Sequence, residues 1–265
     1  MNFVSYAKLA RDVDAWLKAL PRFETIVGIM RSGLFPAVML AKHMGVSVVP
    51  YWKGARIAID PQKTDALVVD DSLNFGGAMN SARVAIHGRN VKFAAVYVAD
   101  EAGTKKVDFF YKILPKPRIF EWNLWSHDIL ADACLDMDGV ICEDVPAGMN
   151  DDGPRYAEFL QNARPWHIPA VRIGAIVTGR LSKYRRETEE WLSRHGVKYG
   201  ELAMMPFQKP EERRAYGIER FKAEKYIRNG HRLFIENDPR QALIISVKTQ
   251  RPVLLTSPDE EWRII

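Results

Sequence analysis

The sequence lacks the features that mark membrane proteins, secreted disulfide scaffolds and thiolate metal sites. Its 265 residues include no long apolar run without charges, so no transmembrane helix is expected. The first residues have no basic start followed by an apolar stretch, which argues against a secretory signal. Two cysteines, Cys134 and Cys142, are too few for a disulfide framework or a cysteine-bound metal. We therefore expect a cytoplasmic protein with reduced thiols.

The composition is that of an ordered globular protein. Hydrophobic residues make up 47% and charged residues 27% of the chain, which argues against disorder. There are 38 lysines and arginines against 33 acids, a net charge of +5. This small surplus is compatible with an anionic partner, either a phosphorylated metabolite or a nucleic acid. The length allows one or two domains.

Short apolar runs alternate with amphipathic stretches along the whole chain. Strands are predicted at 25–29, 46–50, 66–69, 93–98, 131–135, 171–177, 233–235 and 253–255, and helices between many of them. Pro115 and Pro117 interrupt the alternation, which then restarts. The pattern predicts an α/β protein with two doubly wound parallel-sheet (Rossmann-like) domains in tandem, at 1–120 and 121–265.

In the first half, two acids and a small-residue loop follow a predicted strand. Asp70 and Asp71 could accept hydrogen bonds from ribose hydroxyls or hold Mg²⁺. Gly76 and Gly77 allow backbone N–H groups to approach an anion at a helix N-terminus. Upstream, Arg31 in the run Gly-Ile-Met-Arg-Ser-Gly could bind a pyrophosphate.

These two motifs resemble those of type I phosphoribosyltransferases, over roughly residues 1–115. The resemblance implies a pyrophosphate loop, ribose-binding acids, a 5′-phosphate loop at 74–78 and a mobile loop at 51–64 with Lys53 and Arg56. The implied ligand-binding residues are Arg31, Ser32, Gly33, Asp70, Asp71, Ser72, Asn74, Gly76 and Gly77. Phe75 and Ala78 replace hydroxyl residues of the family, which leaves transferase activity open.

In the second half, Asp136 and Asp138 follow a predicted strand. At this spacing one acid can attack as a nucleophile while the other transfers a proton. A calcium loop is excluded, because its twelfth position would be Ala147 and not glutamate. Further along the chain come Thr178-Gly179-Arg180, then Lys222 and Lys225, and then Glu236 and Asp238.

This four-part set resembles the haloacid dehalogenase phosphatase superfamily, over roughly residues 131–265. The resemblance implies that Asp136 forms an aspartyl-phosphate and that Asp138 acts as acid and base. Thr178, Gly179 and Arg180 would hold the phosphoryl group, and Lys222, rather than Lys225, would neutralise it. Mg²⁺ would be held among Asp136, Asp138 and Glu236, with Asp238 as the alternative to Glu236. The intervals between these motifs are too short for a large cap domain, so the first domain or a second subunit is expected to cover the site.

The leading hypothesis is a bifunctional enzyme of nucleotide or phosphoribosyl metabolism, and such fusions resemble proteins of bacteria and their phages. Its first domain would bind phosphoribosyl pyrophosphate or a nucleotide, and its second would hydrolyse a phosphate ester. The substrate would be a nucleotide, phosphoribosyl pyrophosphate, a sugar phosphate or a nucleic-acid end. One alternative is a phosphatase whose first domain only selects or covers the substrate. Another is a nucleotide-sensing regulator that binds RNA.

Overall fold

The computed structural model describes residues 1–55, 57, 59–74, 76–146, 149 and 152–265. The chain divides into a first unit, Met1–Trp122, and a second unit, Asn123–Ile265. Both units are α/β structures built on largely parallel sheets, so the predicted fold class is confirmed. No helix among the described residues has the length and apolar character needed to cross a membrane.

The first unit is built on a five-stranded sheet whose neighbouring strands are all parallel. Its elements are β1 (Asn2–Val4), α1 (Tyr6–Leu17), β2 (Thr25–Ile29), α2 (Leu34–Met44), β3 (Ser47–Tyr51), β4 (Ala66–Leu73), α3 (Gly77–Ala85), β5 (Val91–Val98), α4 (Glu101–Thr104), β6 (Phe109–Ile113) and β7 (Arg118–Phe120). The strand order is β3-β2-β4-β5-β6, and β1 pairs separately with β7.

Apolar side chains cover both faces of this sheet. On one face, Leu9, Val13 and Trp16 of the amphipathic helix α1 pack with α2 against alternate residues of β2 and β4. On the other face, Met79 and Ala82 of α3 pack against the remaining strand residues. The sheet is therefore buried on both sides, as parallel sheets usually are.

The second unit is also built on a largely parallel sheet, which has six strands. Its elements are β8 (Ala133–Leu135), α5 (Pro154–Asn162), β9 (Ile173–Leu181), α6 (Arg185–Arg194), β10 (Tyr199–Met205), α7 (Pro210–Tyr216), α8 (Ile218–Asn229), β11 (Leu233–Glu236), α9 (Pro239–Thr249), β12 (Val253–Leu255) and β13 (Arg263–Ile264). A short 3₁₀ helix, Glu121–Ser126, begins in the first unit and ends in the second, and two more cover Asp128–Asp132 and Ser182–Tyr184. The order is β10-β9-β8-β11-β12-β13, and only the edge strand β13 is antiparallel.

Two strands run four residues further than the sequence predicts, and both carry candidate site residues. β4 continues past Val69 to Leu73, because its pairing with β5 extends to Val98. β9 continues past Val177 to Leu181 and keeps its pairing with β10 through a register shift. The acids of the first motif and the threonine of the second therefore lie within the last residues of strands, and not beyond them.

We predict that Gly33 is required by close packing of the β2–α2 loop on β4. A Cβ atom there would lie 2.6 Å from the Ile29 carbonyl oxygen and 2.7 Å from that of Val69. The control is Gly77, where a Cβ would meet no described atom within 4 Å. Urea unfolding should show a loss of about 1–3 kcal/mol for Gly33→Ala. Gly77→Ala should be neutral or gain up to about 1 kcal/mol, and equal losses in the two variants would contradict this packing.

Candidate functional site

A buried lysine joins two carboxylates at the carboxyl edge of the second sheet. Lys222 Nζ, from α8, donates to Asp136 Oδ2 at 2.6 Å and to Glu236 Oε2 at 2.7 Å. Asp136 follows β8 and Glu236 ends β11, and the two strands are parallel neighbours. The side chains of Lys222, Asp136 and Glu236 are 1%, 8% and 0% exposed. Because water is nearly excluded, the attraction between these charges is strong.

The third donor of the Lys222 ammonium goes to a residue that the sequence analysis missed. Gln241 Oε1, on α9, accepts from Lys222 Nζ at 2.9 Å. Asp238 caps the same helix, since its Oδ1 accepts from the Gln241 backbone N–H at 2.9 Å. Glu236 is therefore the acid that meets the lysine, while the Asp238 carboxylate holds the start of α9. The only sequence signal for Gln241 is its place three residues after a helix cap.

Lys225, the alternative lysine, lies away from this cluster. Its Nζ is 3.8 Å from Glu201 Oε1 and 5.7 Å from the ring centroid of Phe221. Lys225 is three positions after Lys222, about 60° round the helix, and its ammonium extends toward Glu201 of β10. Of the two candidates, Lys222 is thus the one beside Asp136.

Arg180 contacts Asp138, which differs from its predicted role in phosphate binding. Its Nη2 donates to Asp138 Oδ1 at 2.5 Å and its Nε to Oδ2 at 3.0 Å. Its side chain is fully buried, and Nη1 also donates to Thr188 Oγ1 at 3.3 Å. β9 extends through Arg180, so the Arg180 side chain is directed into the interior of the unit, where its guanidinium meets the Asp138 carboxylate. Arg180 therefore orients Asp138, which keeps 15% of its side chain exposed.

The remaining predicted residues line or support one pocket of about 210 Å³. Asp136, Asp138, Gly179 and Lys222 line it, and Thr178 lies behind it, fully buried, with its Oγ1 accepting from the Arg180 backbone N–H at 3.2 Å. The lining residues that the sequence analysis missed include Asp144, Tyr156 and Arg213. The last of these donates through Nη1 to the Gly179 carbonyl oxygen at 3.3 Å.

Negative charge at this site is only partly balanced. Burial raises the pKa of Asp136, and the nearby Glu236 and Asp138 charges raise it further, while Lys222 opposes them. The same two partners, Asp136 and Glu236, raise the pKa of Lys222 and keep it charged in spite of its burial. Burial and the Asp138 charge also raise the pKa of Asp144. A further positive charge would be stabilised here.

The pocket contains carboxylates that could bind Mg²⁺ together with water and a substrate phosphate. Among the described residues, no three His, Cys, Asp or Glu side chains form a group that could hold a metal. Magnesium in phosphoryl-transfer sites, however, is bound by one or two carboxylates together with water and substrate phosphate. The acids that line the pocket are Asp136, Asp138, Asp144 and Asp238. Glu236, in contrast, is fully buried, and its oxygens accept from Lys222 and from the Asn237 and Asp238 backbone N–H groups. The acids that could hold Mg²⁺ are therefore those that line the pocket, and they form no closed protein cage.

In the first unit, the two adjacent acids have different surroundings. Asp70 is half-buried, and its Oδ1 accepts from the Asp71 backbone N–H at 2.9 Å. Asp71 is 4% exposed, and its Oδ2 accepts from Trp122 Nε1 at 2.8 Å. Burial raises the pKa of both acids, and the Asp71 charge adds to the rise at Asp70. Asp70 is therefore the more open acid, and Trp122 is a partner of Asp71 that the sequence analysis missed.

The predicted phosphate loop connects β4 to α3. Ser72 is half-buried near the end of β4, and Asn74 is exposed with its Oδ1 accepting from Arg118 Nη2 at 2.9 Å. Gly76 has φ +83°, a conformation that favours glycine, and α3 begins at Gly77. The position of Phe75 lies outside the described residues. The N-terminus of the nine-residue helix α3 thus opens toward this loop.

The predicted pyrophosphate loop lies between β2 and α2. Arg31 is exposed, Ser32 half-buried and Gly33 buried, and the peptide bond from Met30 to Arg31 is cis. A cavity of about 360 Å³ adjoins this loop, with Met30, Lys53, Gly77 and Ser81 among its lining residues. Arg56, from the predicted mobile loop, lies outside the described residues. The cavity brings together residues from the two predicted ligand-binding loops of this unit.

No protein-family model and no curated protein matches the sequence. Among solved structures, the chain is similar to a purine phosphoribosyltransferase from Pyrococcus horikoshii Ot3, with 18% identity and a TM-score of 0.42, over 46% of this chain and 92% of that one. A xanthine-guanine-hypoxanthine phosphoribosyltransferase from Helicobacter pylori matches with 19% identity and a TM-score of 0.38, over 46% and 92%. A hypothetical protein from Neisseria gonorrhoeae with bound ppGpp matches with 13% identity and a TM-score of 0.37, over 46% and 89%. All three scores are below 0.5.

The buried acid pair predicts a gain in stability when Asp70 is neutralised. The folded-state pKa of Asp70 lies well above its ordinary value of 3.8. Its stabilising contribution is therefore complete below that ordinary value, and it is lost as the pH rises through the raised pKa. Asp70→Asn should raise the melting temperature by about 2–4 °C at pH 8. The gain should shrink steadily as the pH falls toward 4.

Thermal unfolding from pH 4 to 8 checks this, with Asp14→Asn as the control. Asp14 belongs to the same unit, and its side chain is 63% exposed. Its replacement should change the melting temperature little at any pH. A fall in melting temperature for Asp70→Asn at pH 8 would contradict the electrostatic account.

Proposed function

We propose that the second unit is a phosphatase that acts on a phosphorylated small molecule through an aspartyl-phosphate on Asp136. The observation that supports this best is the Lys222 ammonium, which lies within 2.7 Å of both Asp136 and Glu236 in a nearly dry site. A phosphate ester is negatively charged and would be repelled by carboxylates alone. A fixed ammonium beside the attacking oxygen offsets that repulsion and stabilises the charge of the transition state.

The proposed reaction has two displacements at phosphorus. An Asp136 oxygen forms a bond to phosphorus while the ester P–O bond breaks, and the departing oxygen takes a proton from Asp138. A water molecule then attacks the phosphorus, gives its proton to Asp138, and the Asp136–phosphorus bond breaks to release inorganic phosphate. The Thr178 hydroxyl, in the wall behind the pocket, is the candidate donor to the transferring phosphoryl oxygens.

Arg180 gives Asp138 a fixed direction in this scheme. Its two hydrogen bonds to the carboxylate leave Asp138 as the partly exposed acid of the pocket, where a leaving oxygen or a water can reach it. Asp138 must carry a proton, taken from the substrate or from solvent, before it can protonate the first leaving oxygen, and it regains one from the attacking water.

Magnesium would be held by the pocket-lining acids, with Asp136 the first candidate, together with the substrate phosphate. When bound, it would supply additional positive charge against the phosphoryl oxygens. Lys222 holds the Asp136 and Glu236 carboxylates near each other through one oxygen of each.

For the first unit we propose binding of a phosphoribosyl group, as part of a nucleotide or of phosphoribosyl pyrophosphate. The backbone at Gly76 and Gly77 and the N-terminus of α3 suit the 5′-phosphate. Asp70 suits a ribose hydroxyl, because a half-buried carboxylate with a raised pKa gains from a neutral donor. The cavity beside Lys53 has room for a further anionic group. Phosphoribosyl transfer would be an additional activity of this site.

We predict that phosphate release depends on Asp136 and Lys222 but not on Lys225. The assay uses Mg²⁺ and a panel of nucleoside monophosphates, sugar phosphates, phosphoribosyl pyrophosphate and phosphorylated oligonucleotides. Asp136→Asn should abolish turnover, because an amide cannot form the acyl-phosphate bond. Lys222→Met should lower kcat by at least about 10²-fold, because it removes the charge that offsets the phosphate.

Lys225→Met is the matched control, since it removes the same charge from the same helix outside the pocket. It should leave kcat within about twofold of the parent value. Undiminished release by Asp136→Asn would overturn the covalent mechanism. Equal losses for the two lysine variants would overturn the role of Lys222.

A further inference from the structure

The last residues of the first unit contact both halves of its candidate ligand site. Arg118 begins β7, and Trp122 follows four residues later. Arg118 Nη2 donates to the Leu73 carbonyl oxygen at 2.8 Å and to Asn74 Oδ1 at 2.9 Å. Trp122 Nε1 donates to Asp71 Oδ2 at 2.8 Å. One segment, residues 118–122, thus reaches the start of the phosphate loop and the acid pair.

Arg118 is an unusual residue for a merely structural position. It is 5% exposed, and its Nε has no hydrogen-bond partner within the described part of the chain. Burial lowers its pKa, and the charges of Asp71 and Asp100 oppose that change. An apolar residue could fill the same space without desolvating a charge. The guanidinium adds hydrogen bonds to the Leu73 carbonyl oxygen and the Asn74 side chain, at the point where β4 ends and the loop begins.

Trp122 combines an apolar contact with one directed hydrogen bond. Its ring stacks on Phe120 at a centroid distance of 5.1 Å and lies 5.6 Å from the ring of Tyr6. These contacts fix the indole, so that its N–H remains aimed at the Asp71 carboxylate. The hydrogen bond opposes the rise in the Asp71 pKa that burial causes. The two acids stay side by side because Asp71 cannot turn away.

We infer that residues 118–122 position the first unit's ligand site in two separable ways, with Arg118 setting the phosphate loop and Trp122 setting the ribose-facing acids. Neither residue needs to touch the ligand, so both are positioning residues. The inference rests on the proposed phosphoribosyl binding by this unit. It predicts that one substitution weakens binding of any phosphate, whereas the other weakens binding only of ligands that carry ribose hydroxyls.

The test is calorimetric titration of the full chain carrying Asp136→Asn, which removes the proposed turnover, with ribose 5-phosphate and with inorganic phosphate. Asp70→Asn identifies the part of the ribose 5-phosphate signal that comes from the first unit. Trp122→Phe keeps an aromatic ring and removes the N–H. It should weaken the binding of ribose 5-phosphate roughly five- to tenfold and leave the affinity for inorganic phosphate unchanged. Arg118→Lys keeps the positive charge but removes the planar guanidinium that donates to two acceptors at once. It should weaken the binding of both ligands roughly fivefold or more.

Trp125→Phe is the control for loss of an indole. Trp125 lies three residues beyond Trp122 and stacks on His167 of the second unit, at a centroid distance of 4.7 Å. Its replacement should leave both affinities unchanged. Melting curves of the same variants identify general unfolding. If every destabilised variant lost affinity for both ligands, the inference would be contradicted.

The outcomes separate the inference from the proposal beneath it. If the protein carrying only Asp136→Asn does not bind ribose 5-phosphate in a way that depends on Asp70, the proposed function of the first unit fails, and the inference fails with it. If the parent protein binds ribose 5-phosphate and Trp122→Phe binds it equally well, the inference alone is overturned. An equal loss of both ligands in Trp122→Phe would also overturn the division of roles.

Discussion

The second unit depends on a single buried charge, the ammonium of Lys222. Its three hydrogen bonds reach Asp136 after β8, Glu236 at the end of β11 and Gln241 on α9, so one side chain ties together two strands and two helices. Taking these charges out of water is unfavourable, and each is tolerated only because the others are present. Removing one partner of such a buried group typically costs about 3–5 kcal/mol, so the site's electrostatics and the local stability of the sheet edge cannot be altered separately.

Much of the architecture could be predicted from the sequence, because apolar runs and their spacing depend on local physics. The alternation of strands and helices gave the parallel sheets, and the acids were expected where strands end. The predicted ends of the strands were less accurate. β4 and β9 each run four residues further, since pairing with β5 and β10 continues through polar residues. Hydrophobic pattern alone carries no information on how far a neighbouring strand offers hydrogen bonds.

Several partners of the site residues could not be predicted from local pattern, because they come from far along the chain. Lys222 was placed beside Asp136, 86 positions away, only through the resemblance, and Trp122, 51 positions from Asp71, was not predicted at all. Arg180 was expected to face a phosphate, but it lies against Asp138, 42 positions away. No local motif specifies such pairs. They follow from which strands become neighbours, and a single sequence reveals that order only indirectly.

The two units balance their acids differently, and the difference bears on the ligands they suit. In the second unit, Asp136 and Asp138 are each paired with a positively charged side chain, which reduces the repulsion that the proposed phosphate ester would meet. In the first unit, Asp71 is paired with a neutral indole N–H, and its charge raises the pKa of Asp70 further. Such a pair would repel a phosphate but accept hydroxyl donors, and the loop before α3 remains as the place for an anion. The ligand proposed for the first unit, a sugar 5′-phosphate, would present hydroxyls to the acids and its phosphate to the loop.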